Sequence, residues 1–180
     1  YYQKSILLKE VLAEKRPTIF AIDLVSSLIN FAILQTDLHH FSNAESLFQD
    51  ALEICKNPNV NGLNFEELKA YIYHNRGNLL NNLKRPLEAE QDYLKAIEIR
   101  KKMMLEVNQK VYQPKLATSQ LALAIHYLNY DKNQKKSLDF IAKAVSNFMP
   151  YYTNNKQSKI LTNLSKCYNV IQQWDIDAKP

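Results

Sequence analysis

The sequence predicts an all-α fold, a right-handed α-α superhelix (solenoid) of about eight helices arranged as antiparallel hairpins. Apolar residues recur at helical spacing along almost all of the 180 residues. Only two glycines are present, Gly62 and Gly77, which excludes most tight hairpins and every Gly-rich phosphate loop. An internal repeat is the third observation, and it predicts how the helices pair.

One spacing of small and large residues occurs three times, with first positions 45 and 48 residues apart. The three copies are Ala44-x3-Phe48-x2-Ala51, Ala89-x3-Tyr93-x2-Ala96 and Ser137-x3-Ile141-x2-Ala144. Self-similarity at a period of about 20 to 50 residues is typical of a stacked solenoid. We interpret each copy as the second helix (B) of a hairpin, whose small residues let the first helix (A) approach closely. Twelve residues before each copy, the A helices carry Ala32, Gly77 and Ile125.

Start and stop signals divide the first half of the chain into four helices, at about 2–15, 18–38, 42–56 and 64–83. Pro17 stops the first helix. Ser42 and Glu45 match a capping box for the third, in which each side chain serves an amide of the other residue. Asn64 is the expected N-cap of the fourth.

Four further helices are expected at about 86–107, 114–130, 134–148 and 154–173. Pro86 and Pro114 are placed at first helical positions, where the missing amide of proline is tolerated. Asn154 is the expected cap of the last helix.

The helices group into a single repeat domain over 1–180. It comprises a half repeat at 1–16, full repeats at 18–56, 64–108 and 114–148, and a half repeat at 154–173. Tyr2–Leu8 reads like Tyr93–Ile99, so the chain is expected to begin on a B helix and to end on an A helix. Both ends would then present apolar stacking faces, so we expect a segment of a longer protein and keep self-association through the end helices as an alternative.

Charge and cysteine content narrow the function classes. The net charge of +5 comes from basic clusters at expected turns and helix ends, where cations suit the helix dipole. Basic residues do not interleave with aromatic ones along one face, so nucleic-acid binding is the less favoured partner class. Cys55 and Cys167 form no CxxC pair and are expected as buried, reduced thiols of a cytoplasmic protein. No run of 18 apolar residues is present, so no membrane span is expected.

The second repeat resembles the tetratricopeptide repeat. The resemblance rests on Tyr73-x3-Gly77-x2-Leu80-x8-Ala89-x3-Tyr93-x2-Ala96. The longer period, with Ile99–Met103 followed by Val111–Ala117, resembles the extended type found in kinesin light chains and bacterial signalling proteins. The family resemblance implies a scaffold for protein-protein interaction, not an enzyme, with no cofactor.

In this family the A helices line a concave groove that contacts a peptide. Carried onto this sequence, the candidate partner-binding residues are Asn30, Tyr71, His74, Asn75, Asn78, Asn81, Ser119, His126 and Asn129. Asparagine is prominent, and its amide can both donate to and accept from a peptide main chain. The alternative is that these asparagines face solvent in an Asn-rich chain. No carboxylate clamp of lysines and arginines is present at these positions, so a neutral or mixed ligand is expected.

No motif indicates catalysis or metal binding. His39 and His40 are adjacent, which points their side chains apart, and no cysteine or carboxylate nearby completes a metal set. No nucleophile with a supporting base and carboxylate can be identified. Trp174 is expected to pack under a turn, with an exposed binding anchor as the alternative.

The sequence therefore predicts a scaffold or adaptor domain that binds a protein or peptide in a groove. The first alternative is a peptide-sensing regulatory domain that controls an attached signalling effector. The second is nucleic-acid binding.

Overall fold

The computed structural model describes residues 2–57, 62–152 and 158–177, except the side chains of 17, 18, 158 and 175–177. These residues form eight α-helices and no strand, so the predicted all-α class is confirmed. The chain divides into two compact units, 1–85 and 86–180. The expected cap Asn154 lies outside the described residues.

Unit 1 contains four helices, α1 (Tyr2–Lys15), α2 (Pro17–Asp37), α3 (Phe41–Lys56) and α4 (Leu63–Asn82). Helix α2 is central and packs against the other three. Its buried apolar side chains join those of α3 and α4 in one core, which includes the fully buried Ala32, Ala44 and Phe48. The predicted bounds of α1 and α2 agree with the structure to within one residue.

Unit 2 contains α5 (Pro86–Glu106), α6 (Gln109–His126), α7 (Gln134–Phe148) and α8 (Ser158–Asp177). A π-helical segment, Tyr127–Asp131, follows α6, and a 3-10 turn, Met149–Tyr151, follows α7. The core lies between α6, α7 and α8. Pro86 opens α5 as predicted, and α7 has its predicted bounds.

The turns between A and B helices share one left-handed residue, at His39, Lys84 and Lys132. In the first turn the amide of His39 donates to Thr36 O at 3.0 Å and that of His40 to Gln35 O at 2.8 Å. This pair of bonds is a Schellman motif, which normally places glycine at the left-handed position. The sequence gives no signal for it, because histidine and lysine stand where glycine is expected.

Two predicted N-caps are wrong. Helix α3 begins one residue before Ser42, with His40 as its N-cap, so Ser42 lies within the first turn. Helix α4 begins at Leu63 after Gly62, whose φ of 113° favours glycine. The carbonyl of Gly62 accepts from Phe65 N at 3.0 Å, which leaves Asn64 inside the helix.

The predicted start of α6 is also wrong, because Pro114 lies inside the helix. The helix starts earlier, at the N-cap Asn108, whose side chain accepts from Val111 N at 3.2 Å. A proline in the second turn removes one backbone hydrogen bond, to the carbonyl of Lys110. The helix nevertheless begins after the Asn108 cap and continues through Pro114.

The π-helical segment adds one residue between α6 and α7. The eight buried residues of α2 map onto buried residues at a shift of 92 positions, six of them on α6 and two, Tyr127 and Leu128, in the π-helical segment. The B helices α3 and α7 instead differ by 93, from Ala44 to Ser137. The close contact to α7 is therefore made by Ala124, whose carbonyl accepts from Ser137 Oγ at 2.9 Å, and the prediction of Ile125 there is wrong.

Each unit contains, within itself, a contact between a cationic side chain on a B helix and a serine on the next A helix. In unit 1 Lys9 Nζ lies 2.6 Å from Ser27 Oγ and 3.5 Å from Asp23 O. In unit 2 Arg100 Nη1 lies 2.5 Å from Ser119 Oγ and 3.0 Å from Lys115 O. The matching positions at the α3–α4 and α7–α8 junctions are apolar, with Cys55, Ile72, Phe148 and Ile160. The structural repeat is thus the four-helix block, not the single hairpin.

Two predictions about buried side chains are confirmed. The predicted burial of Trp174 is confirmed, although the residue lies within α8; its Nε1 donates to Ser137 Oγ at 3.0 Å, in the core of unit 2. Cys55 and Cys167 are buried free thiols. Burial raises the pKa of each thiol to about 11.

Helix α2 includes one stretch, Ile19–Asp37, that is long and apolar enough to cross a membrane by length and composition alone. Half of this stretch is buried within unit 1. A core helix of a soluble protein passes the same test, and α2 is the central helix of its core.

Candidate functional site

Six of the nine candidate partner-binding residues lie in unit 1, on the adjacent A helices α2 and α4. Asn30, Tyr71 and Asn78 are exposed, and the side chains of His74, Asn75 and Asn81 are half-buried. Tyr71, Asn75 and Asn78 follow i, i+4, i+7 spacing, so they share one face of α4. We call the set Asn30, Tyr71, Asn75 and Asn78 the α2/α4 face.

The Asn75 amide has a fixed orientation. Its Nδ2 donates to Tyr71 O, one turn earlier, at 2.8 Å. Within the described residues its Oδ1 accepts no hydrogen bond, so this acceptor is available to a ligand. Tyr71 is 39% exposed and presents an aromatic ring beside it. The face therefore combines an oriented amide with an aromatic surface.

Ser119 and His126 in unit 2 lie in the interior rather than on a surface. Ser119 is fully buried against Arg100. His126 is 1% exposed and lies among tyrosines, with its ring centroid 6.0 Å from that of Tyr93. The one-residue shift of α6 explains both, because it turns the predicted groove positions toward α5. Asn129 is exposed on the π-helical segment.

With the register corrected, the α6 positions equivalent to Tyr71, Asn75 and Asn78 are Thr118, Ala122 and Ile125. All three side chains are half-buried. The sequence does not mark these three positions as a set, because nothing in Tyr127–Asp131 indicates an extra residue. The corresponding face in unit 2 is thus mostly apolar and lacks the asparagines of unit 1.

A polar cluster beside His126 ties three elements of unit 2 together. Tyr127 donates from its hydroxyl to Glu90 Oε1 at 2.6 Å, and Lys136 Nζ lies 3.3 Å from the same oxygen. Burial opposes ionisation of Glu90, but these two bonds together with the charges of Lys136 and His126 outweigh it and hold the pKa of Glu90 below its usual value. Burial lowers the pKa of His126, against the opposing charges of Glu90 and Asp131. The cluster is consistent with a structural role.

The paired histidines are part of the first A/B turn. His40 Nδ1 lies 3.0 Å from Gln35 Oε1, and the His39 ring packs edge-on against Phe41. In the part of the chain that the structure describes, no three His, Cys, Asp or Glu residues are grouped as metal ligands.

Comparison with known proteins matches residues 70–104 to the tetratricopeptide repeat family. This segment takes in most of α4 and α5. No curated protein is significantly similar in sequence. Among solved structures, the chain is similar to the crystal structure of BtubC (BKLC) from P. vanneervenii, with 15% identity, a TM-score of 0.47, and coverage of 97% of this chain and 83% of that one. The family match therefore covers one helix pair, within residues 70–104, and is the part of the chain that is similar to a tetratricopeptide repeat.

Proposed function

We propose that this chain is a scaffold or adaptor that binds a peptide or protein partner, and that the α2/α4 face is a contact surface. Tetratricopeptide repeats generally mediate protein-protein binding, which gives the broad class of function. The observation that carries the finer proposal is the oriented Asn75 amide beside the exposed Tyr71.

An extended peptide is the ligand that fits these groups best. Its main chain offers alternating donors and acceptors, which an asparagine amide can pair with regardless of peptide sequence. Because Asn75 Nδ2 is already bonded to α4, little side-chain entropy is lost when Oδ1 accepts from a ligand. Tyr71 adds apolar contact area at low entropic cost.

The proposal is tested with the double variant Asn75→Ala, Asn78→Ala. The wild-type chain is first used to select binders from an array of diverse peptides, and the affinity of each is measured by fluorescence anisotropy. Loss of two hydrogen-bonding side chains should weaken binding by about tenfold or more. Far-UV circular dichroism should show unchanged helicity, because both positions lie on the outer face of α4.

The matched control is Asn43→Ala with Ser46→Ala, which truncates two exposed polar side chains on the B helix α3. This variant should bind the selected peptides as tightly as the wild type. Equal affinity of all three proteins would show that the α2/α4 face is not the binding surface.

A further inference from the structure

The net charge of the chain is confined to unit 2. Unit 1 contains nine basic and nine acidic residues, whereas unit 2 contains fourteen basic and nine acidic ones. The imbalance is greatest from α6 to α8, because residues 109–174 include nine lysines but only two acidic residues, Asp131 and Asp139. Both carboxylates already pair with α7, with Lys136 at 3.8 Å and Lys143 at 2.6 Å. This stretch therefore has more cations than its own carboxylates can neutralise.

Helices α4 and α8 occupy equivalent places, because each packs against the B helix that precedes it in its unit. At a shift of 88 positions, the buried Ile72 and Leu79 of α4 map onto the buried Ile160 and Cys167 of α8. The register between the two helices is thus defined by residues that are buried in both.

The same register places three polar residues of α8 where α4 contributes to the α2/α4 face. They are Lys159, Asn163 and Lys166, which lie on one side of α8 at i, i+4, i+7 spacing. We call these three residues the α8 cationic face. Both lysines are exposed. Tyr71 and Asn78 are exposed at the equivalent positions of α4, although further helices follow α4, so exposure here does not depend on α8 being the last helix.

Asn163 is the buried member of the α8 cationic face. It is 7% exposed, and within the described residues its amide makes no hydrogen bond. The equivalent Asn75, in contrast, donates to Tyr71 O. An unpaired amide at this depth costs free energy, which a ligand with its own donors and acceptors would restore. Such a ligand would meet positive charge on both sides of the amide.

We propose that the α8 cationic face binds an acidic peptide segment. Side-chain carboxylates of the peptide pair with Lys159 and Lys166, and its main chain pairs with the amide of Asn163. The neighbouring A helix, α6, contains no acidic residue, so nothing on it repels a carboxylate. The inference rests on the proposed function and extends it, because unit 1 presents neutral amides to a partner whereas unit 2 presents cations.

The side chains around the two lysines favour a peptide over nucleic acid. Proteins that bind single strands combine basic residues with aromatic ones on which bases stack. Tyr168 is the exposed aromatic residue of α8 among those described, and it follows Lys166 by two positions. Residues at this spacing do not face each other on a helix, so Tyr168 does not extend the α8 cationic face.

Fluorescence anisotropy with two labelled peptides tests the proposal. One peptide is rich in glutamate, and the other has glutamine at the same places. Both have amidated C termini, so that only side-chain carboxylates differ. The wild-type chain should bind the glutamate peptide about tenfold more tightly at low salt. The difference should shrink at an ionic strength of about 0.5 M, because exposed ion pairs are screened.

The variant Lys159→Gln, Lys166→Gln should lose this preference, with about tenfold weaker binding of the glutamate peptide and unchanged binding of the glutamine peptide. The matched control is Lys110→Gln with Lys135→Gln, which removes two equally exposed lysines from α6 and α7. It lowers the net charge by the same amount and should keep the preference.

Asn163→Leu separates binding from stability. The change replaces an unpaired buried amide with an apolar side chain, so the melting temperature should rise. Binding of both peptides should nevertheless weaken by about fivefold, because the main-chain contact is lost. A lower melting temperature together with unchanged binding would show that Asn163 has only a structural role and would contradict the proposed contact.

Three further results would overturn the proposal. The first is equal affinity of the wild-type chain for the two peptides. The second is an equal loss of preference in the Lys110→Gln, Lys135→Gln control, which would indicate attraction by net charge alone. The third is tighter binding of single-stranded oligothymidylate than of the glutamate peptide, which would assign the surface to nucleic acid.

The variant Asn75→Ala, Asn78→Ala distinguishes this proposal from that of the α2/α4 face. It should keep the wild-type preference for the glutamate peptide, because it leaves α8 unchanged. If it loses that preference, the acidic peptide binds in unit 1 and the assignment to α8 is wrong.

Discussion

Ser27 and Ser119 occupy the same position in the two units, yet their surroundings differ. Ser119 is fully buried with an arginine that is 4% exposed, whereas Ser27 and Lys9 are only half-buried. A buried guanidinium depends on its acceptors, because water cannot replace a lost one. The same pairing should therefore contribute more to stability in unit 2 than in unit 1.

Ser119→Ala is expected to lower the free energy of unfolding by about 1.5 to 3 kcal/mol, the range for a hydrogen bond to a charged group. Ser27→Ala, the matched change, should cost less than about 1 kcal/mol, because water can solvate the Lys9 ammonium. Urea denaturation followed by circular dichroism measures both. Equal losses would contradict the assigned difference in burial.

His126 predicts a pH dependence of stability. Its pKa is lowered in the folded chain by burial, whereas the unfolded chain takes up the proton near the ordinary pKa of about 6.5. Below that pH the unfolded state binds more protons, so stability falls as pH falls. The groups that face His126 electrostatically are Glu90, Asp131 and Lys136.

His126→Phe should therefore reduce the loss of thermal stability between about pH 7.5 and 5.5, because phenylalanine cannot be protonated. His39→Asn, at an exposed turn position, is the control and should keep the wild-type profile. Melting temperatures across this range provide the measurement. A His126→Phe profile parallel to that of the wild type would refute the assignment.

At the scale of the elements, the π-helical segment determines which face of α6 is buried. An extra residue within a helix rotates everything before it by about 100° relative to everything after it. The segment absorbs that rotation, so Ala124 and Ser137 meet as Ala32 and Ala44 do in unit 1. Such one-residue insertions are the usual origin of π-helical turns.

Deleting Asn129 should restore the twelve-residue spacing of the other hairpins. Because Asn129 is exposed and the deletion leaves the buried sets of α6 and α7 in place, stability should change by no more than about 1 kcal/mol. Deleting the exposed Asn30 from the regular helix α2 should instead move core residues to the surface and cost more than about 3 kcal/mol. Chemical denaturation of the two deletions compares them, and the opposite order would disprove the insertion.

At the scale of the whole molecule, the spacing of apolar residues and the positions of the prolines predicted nearly all of the helices. Few structures other than an α-helix are compatible with these two features. The small residues of the first repeat were placed correctly, with Ala32 and Ala44 both fully buried. The π-helical segment could not be predicted, since Tyr127–Asp131 carries no sequence feature that separates it from an α-helix. Because this one extra residue shifts the register of α6, Ser119 and His126 were wrongly predicted to lie in the groove.

The four-helix block could not be predicted from the sequence, because Lys9 and Arg100 pair with serines through contacts that no local sequence pattern encodes. The Asn-rich candidates of unit 1 were better placed, since α2 and α4 contain no such insertion. Their role in binding stays a prediction. The sequence thus predicted which side chains reach the surface wherever the helical register was regular.

The two buried cysteines have an experimental consequence for the two units. Cys55 lies in unit 1 and Cys167 in unit 2, and each thiol has its pKa raised to about 11 by burial. At neutral pH such thiols are protonated and react slowly with alkylating reagents until local opening exposes them. Timed alkylation followed by mass spectrometry of peptides would therefore measure the opening rate of each unit separately. No added label is needed, because each unit already contains one buried thiol.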